Sequence, residues 1–241
     1  YLVSKQPEKR FEIRQRLDAE EAFDSKTVAA VAAHMVRPAA PSGVRDDGFF
    51  NIEIPMQPRQ VENNVPRRCL VQLPPEYDAR RRYPVIISLH SASTTPLQQI
   101  EWWAGAPTAA GRREGQAGRH GTIIVAPEWA TKTQVGYRYS AEEHSVVLSA
   151  LREVSRQFSV DSDRVYLSGH SMGGDAAWDI GLAHPDLWAG IISVSGKAGR
   201  YVHHYHQNAK RLPIYIVCGG LDHHTFSTNE MDLDRYLKKG F

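Results

Sequence analysis

At 241 residues, with 41% hydrophobic and 23% charged residues and a formal net charge of +2, the chain suits one domain with an appendage, or two small domains. Acidic and basic residues are mixed along it, which excludes the basic stripe that nucleic-acid binding needs; the basic clusters at 80–82 and 111–120 read as solvated loops. The longest apolar run, 28–36, is too short to span a bilayer, and the only cysteines, Cys69 and Cys218, have no CxxC or zinc spacing and are expected to be buried thiols.

The first 36 residues read as helical, with Ser25 an N-cap and Val28, Val31, Ala32 and Met35 on one face. The stretch 37–48 is rich in Pro, Gly and charge and reads as a linker, so residues 1–48 are expected to form an N-terminal helical appendage and 49–241 the main domain. The chain begins with Tyr1, not Met, and no secretory h-region is visible. It is expected to be a processed product or a piece of something longer, which leaves its compartment open.

After the linker, FFNIEI and RRCLVQL predict two strands, antiparallel at a sheet edge. Short continuous apolar runs follow: YPVIISLH (83–90), TIIVAPEW (122–129), RVYLSG (164–169), GIISVSG (190–196) and PIYIVCGG (213–220). Such runs mark parallel strands covered on both faces. Between them lie helix starts. Thr95 and Gln98 form one capping pair, with Pro96 at the first helical position; Ser140 and Glu143 form a second, before a stripe of Val147, Leu151, Val154 and Phe158. Ser227 and Glu230 repeat the pattern before a last helix. The alternation predicts an α/β fold, a mostly parallel sheet flanked by helices.

GHSMGG, 169–174, sits between the strand RVYL and a helix starting near Met172. A serine between glycines at a strand-to-helix turn fits a nucleophile elbow. The sharp bend lifts the Ser171 hydroxyl clear of the sheet. Gly169 and Gly173 stand where any side chain would collide, and the Met172 N–H points where an oxyanion would form. The competing reading is a tight turn that merely uses Gly and Ser. Trp102, Trp103 and Trp129 fall near strand ends and are expected to shape a pocket, with Trp178 and Trp188 in the core.

Three stretches, YPVIISLHSAS, VDSDRVYLSGHSMGGDAAWDIGLAHPDLWAGIISVSG and PIYIVCGGLD, resemble the α/β-hydrolase superfamily over about 65–241. The similarity is to its esterase branch, which includes polyhydroxybutyrate depolymerases and feruloyl esterases, with prolyl-oligopeptidase-like peptidases nearby. The resemblance implies Ser171 as nucleophile and backbone N–H groups of Met172 and Ala92 as the oxyanion hole, with Ser91 where the family usually has glycine. It implies Asp222, just past PIYIVCGG, as the carboxylate that orients a histidine; Glu230 and Asp232 are poorer choices. Asp222 as a helix cap or turn residue is the competing reading. His223 and His224 are too close to Asp222 to serve as the base. The family's order of elements implies one more strand and a histidine loop, expected beyond Phe241.

His90 reads as a packed residue that fixes its loop, and His170 as a support of the elbow. YVHHYHQ, 201–207, with His223 and His224 matches no strong zinc spacing and reads as a polar, aromatic loop over the site, so no metal and no cofactor is expected. The resulting expectation is a serine hydrolase of carboxylic esters, small or polymeric, working through an acyl-enzyme. A peptidase with the same machinery, or a non-catalytic binding domain that keeps the fold, are the alternatives.

Overall fold

A computed structural model describes residues 7–19, 26–27, 29–30, 47–56, 66–200, 204, 206–222, 225 and 227–229. Helix α1 spans Pro7–Ala19, and residues 26, 27, 29 and 30 are helical. Ser25, the face drawn through Val28, Val31, Ala32 and Met35, and most of the expected linker lie outside the described residues.

The centre is one seven-stranded sheet. In chain order its strands are β1 (Phe49–Ile54), β2 (Arg67–Gln72), β3 (Tyr83–Leu89), β4 (Ile123–Pro127), β5 (Val160–His170), β6 (Gly190–Val194) and β7 (Ile214–Val217), laid side by side as β1-β2-β4-β3-β5-β6-β7. β1 pairs antiparallel with β2, and β2 antiparallel with β4; every other pair is parallel. The helices α2 (Pro96–Ala104), α3 (Gln116–Arg119), α4 (Ala141–Gln157) and α5 (Met172–Ala183) occupy the crossovers.

Successive residues of a strand face opposite ways, and β4 shows the result. Ile123 and Val125 join the larger core with Val85, Ile87, Leu89, Leu167 and Trp178, whereas Ile124 and Ala126 join a second cluster with Ile100 and Ala104 of α2. Trp178 and Trp188 are core residues, as expected from their place in the pattern. Truncating one of these fully buried aliphatic side chains to alanine costs about 2–5 kcal/mol. β7 departs from the expectation of two covered faces. Ile214 and Ile216 pack on the larger core, but Tyr215 is 67% and Val217 38% exposed. Among the described residues β7 is an edge strand, which explains its alternation.

Helix starts follow the local chemistry. Thr95 Oγ1 accepts the Gln98 N–H while Gln98 Oε1 accepts the Thr95 N–H at 2.8 Å. Ser140 and Glu143 do the same at the head of α4, with Glu143 Oε2 accepting the Ser140 N–H at 2.9 Å. Each exchange satisfies N–H groups that the first helical turn leaves unpaired. Val147, Val154 and Phe158 of the α4 stripe are fully buried.

Two expectations need correction. Arg113, in the basic stretch read as a solvated loop, is nearly buried: it donates to the Gly105 carbonyl at 2.7 Å and lies over the Phe49 ring. Of the two thiols, Cys69 is buried but Cys218 is only half-buried, because it sits at the open end of the edge strand. Burial pushes the Cys69 thiol far above its ordinary range.

Candidate active site

Each parallel strand ends at the same rim of the sheet, and the loops that leave this rim carry the candidate residues. β5 ends at His170, and α5 begins at Met172. The residue between them, Ser171, has φ 53° and ψ −115°, a conformation that L-residues rarely adopt. It is held on both sides. The Ser171 N–H donates to the Val194 carbonyl at the end of β6 (2.8 Å), and its carbonyl accepts the Asp175 N–H (3.0 Å).

Glycines make the turn possible through close approach of backbones. A methyl group on Gly169 would overlap the Gly173 carbonyl, and one on Gly173 would overlap the Leu89 carbonyl and lie 3.0 Å from that of His90. A methyl on Gly174 would lie 2.8 Å from the Gly196 Cα. The first turn of α5 is therefore wedged between the loop after β3 and the loop after β6. Ser171 is half-exposed while Met172 is buried.

The loop after β3 brings the second backbone donor to the same rim. His90 is buried, its Nδ1–H donates to the Ser91 carbonyl at 2.9 Å, and its ring lies 5.7 Å from that of Trp129. Burial holds its imidazole below the usual range. Ser91 is buried, and its N–H donates to Thr94 Oγ1 at 2.8 Å. Ser91 is not among the residues at positive φ, so serine stands here without strain. Ala92 is exposed beside it. Among the described residues neither the Met172 nor the Ala92 N–H has an acceptor. Met172 also stands at the positive end of the α5 dipole.

Asp222 follows β7, two strands from β5, in an exposed turn closed by its own N–H on the Gly219 carbonyl (2.9 Å). Its Oδ1 accepts the Thr225 N–H at 3.3 Å. Thr225 and residues 227–229 are helical, so the cap of this turn is Asp222; Ser227, expected to cap, already lies inside. Glu230, Asp232, His203, His223 and His224 fall outside the described residues, and His206 opens a 3-10 turn, His206–Arg211. Among the described residues no group of three His, Cys, Asp or Glu side chains is placed to hold a metal ion.

The tryptophans divide. Trp102 is 61% exposed and stacks on His170 with ring centroids 5.8 Å apart, beside the serine. Trp103 is half-buried and donates to Ser88 Oγ at 3.0 Å. Trp129 is buried, with its ring against those of His90 and Tyr137.

Sequence reasoning missed several neighbours. Tyr139 and Arg200, both at positive φ, meet where the loops after β4 and β6 approach each other, with the guanidinium 5.0 Å over the ring. Asp175 lies beneath, bonded to the Lys197 N–H at 2.6 Å, with burial raising its carboxyl above the ordinary range. Burial, then the Asp175 and Asp179 charges, push the Tyr139 phenol up to about 12. Behind them Asp179 accepts from Tyr137 (2.7 Å) and His144 (2.8 Å), and His144 touches His184. Single tyrosines, histidines and an arginine scattered over 137–200 leave no local pattern; only the shared rim and the helix pair bring them together.

The comparisons with known proteins agree with this architecture. The family model Esterase, described as “Putative esterase”, matches residues 62–237. Dipeptidyl-peptidase 5 of Porphyromonas gingivalis is 25% identical over 129 residues, 52% of this chain; the chain spans only 19% of that relative's length. Among solved structures, the fluorophosphonate-binding serine hydrolase F of Staphylococcus aureus superposes with a TM-score of 0.58 at 15% identity, over 79% of this chain and 86% of that one. The feruloyl esterase module of Clostridium thermocellum bound to sinapinate gives 0.58 at 13% identity, over 82% and 78%. These two likenesses concern the fold. With the family model spanning residues 62–237, the chain belongs to the Esterase family, hydrolase-type enzymes built on the α/β-hydrolase fold.

Proposed function

We propose that this protein is a serine hydrolase that cleaves carboxylic esters through an acyl-enzyme. The observation that carries the reading is Ser171 at φ 53° between β5 and α5, half-exposed, with the Met172 N–H beside it, which has no acceptor among the described residues. In this reading Ser171 Oγ attacks the ester carbonyl. The N–H groups of Met172 and Ala92 receive the charge that develops on its oxygen, an interaction stronger in the transition state than in the ground state. An imidazole base takes the serine proton and passes it to the leaving alcohol, with Asp222 holding its far N–H and fixing the tautomer. Water then repeats the attack on the acyl-enzyme and releases the acid. The substrate is a small or polymeric ester and the chemistry needs no cofactor.

The ester reading follows the family to which the chain belongs. A peptidase reading is favoured by the partial likeness to dipeptidyl-peptidase 5 and uses the same machinery. The test is to incubate the folded full-length protein with a fluorophosphonate probe and map the adduct by peptide mass spectrometry. Label on the peptide that contains Ser171 is expected. A folded protein that takes no label, or takes it on another residue, overturns the reading and leaves a binding domain. Parallel assays with p-nitrophenyl esters and with dipeptide amides then separate esterase from peptidase.

A further inference from the structure

The turn that carries Asp222 is mostly exposed among the described residues. β7 ends at Val217; Leu221 is 93% exposed, and Gly220 has no atom within 4 Å of where a methyl would stand. Among the described residues from 219 to 229, only Thr225 and Asn229 are buried. Thr225 is bound to Asp222 itself, through its N–H. Asn229 reaches out of the segment. Its Oδ1 accepts the Ala198 N–H at 3.1 Å, and its Nδ2 donates to the Gly196 carbonyl at 2.8 Å and lies 3.8 Å from Cys218 Sγ.

These contacts use both ends of a carboxamide, an acceptor on one side and donors on the other. Neither a carboxylate nor an aliphatic side chain can reproduce them, and the Ala198 and Gly196 groups they satisfy are buried. The loop they clamp is the one that meets the serine. Gly196 lies against Gly174 in the first turn of α5, so closely that a methyl on Gly174 would stand 2.8 Å from its Cα. A continuous path of contacts thus runs from Ser171 through Gly174, Gly196 and Asn229 to the turn capped by Asp222. We infer that Asn229 is a positioning residue, whose buried carboxamide fastens the Asp222 turn to the Ser171 elbow and sets where the carboxylate stands relative to the serine. The inference rests on the proposed reading of Ser171 and Asp222 as members of one catalytic set.

The test is a double-mutant cycle in the full-length protein with Asn229→Ala, Asp222→Asn and both together, reading kcat, KM and Tm. Alone, Asn229→Ala is expected to lower kcat by about 10- to 100-fold, as small misplacements of catalytic groups do, with KM for a small neutral ester within about twofold. In the Asp222→Asn background it is expected to lower kcat no further, while the loss of Tm is the same in both backgrounds. Equal kcat losses in the two backgrounds, or a lower Tm with unchanged kcat, would make Asn229 merely structural and overturn the inference. Wild-type kcat in Asp222→Asn, with Ser171→Ala inactive, would instead remove Asp222 from the set, and the inference with it. If Asn229→Ala does not fold, Asn229→Asp serves in its place. It has the same size and keeps an acceptor for the Ala198 N–H, but sets a charge against the Gly196 carbonyl, so the same cycle decides.

Discussion

The elbow at Ser171 and the turn at Asp222 stand at the same rim of one sheet but are built in different ways. At the elbow, backbone packs on backbone. Gly169, Gly173, Gly174 and Gly196 close against each other and against the carbonyls of Leu89 and His90, and the strained Ser171 is clamped by bonds from two elements. At Asp222 the chain leaves a strand that is at the edge among the described residues, runs through an exposed turn, and is fastened to the loop after β6 by the buried Asn229 carboxamide. The first region tolerates strain because its surroundings over-determine it. The second, among the described residues, is mostly exposed, and is expected to be the part of the candidate site that small changes shift without unfolding the domain.

The comparison can be broken at several points. The largest effect is expected from Ser171→Ala, which should lower kcat by about 10⁶-fold, by analogy with the subtilisin nucleophile, and abolish fluorophosphonate labelling, with Tm unchanged. Ser171→Gly should be equally inactive yet melt higher, because glycine adopts the φ of 53° without strain; differential scanning calorimetry on the two variants separates chemistry from strain. Asp222→Asn should lower kcat by about 10⁴-fold, the effect known for a triad carboxylate, with Tm within a few degrees of wild type. A kcat within tenfold of wild type would leave Asp222 as a cap for the Thr225 N–H alone.

Paired glycine substitutions test the packing contrast directly. Gly173→Ala forces a methyl into the Leu89 carbonyl and should cost about 3 kcal/mol or more, read by urea unfolding. Gly220→Ala adds a methyl in open space at a φ open to any residue, and should stay within about 0.5 kcal/mol of wild type. Similar losses at the two positions would remove the distinction between the regions.

The smallest effect concerns the far end of α5, where side chains hold the helix. His184 is partly buried against His144, and burial together with that neighbour keeps its imidazole below the ordinary 6.5. The unfolded chain then binds more protons than the folded one as pH falls below about 6.5, so stability is lost on acidification. His184→Gln should flatten the decline of Tm between about pH 7 and pH 5; a decline as steep as wild type would assign it to other groups, His90 first among them.

Where an element's reason was local, it was legible in the amino-acid order. The capping pairs at Thr95 and Ser140, the antiparallel pair at one edge, and the glycine-flanked serine between a strand and a helix all follow from contacts within a few residues or from simple periodicity. Trp129 reads as a pocket residue because it follows a strand, yet it is buried, since His90 from the loop after β3 and Tyr137 from farther along its own loop pack against it. Arg113 reads as a solvated charge, yet it latches Gly105 and Phe49. The capping pattern at Ser227 was overruled by Asp222, a turn earlier.

By itself the sequence determined the class of fold and the residue on which the proposed chemistry turns, because a parallel strand, a helix cap and a glycine-lined bend are written in short-range pattern. Only the tertiary structure decided what surrounds that residue: Gly196 against Gly174, Arg200 over Tyr139, Asn229 between the two loops. Each of these contacts joins residues 20 or more positions apart, and the sheet's strand order, not the chain's, places them at one rim.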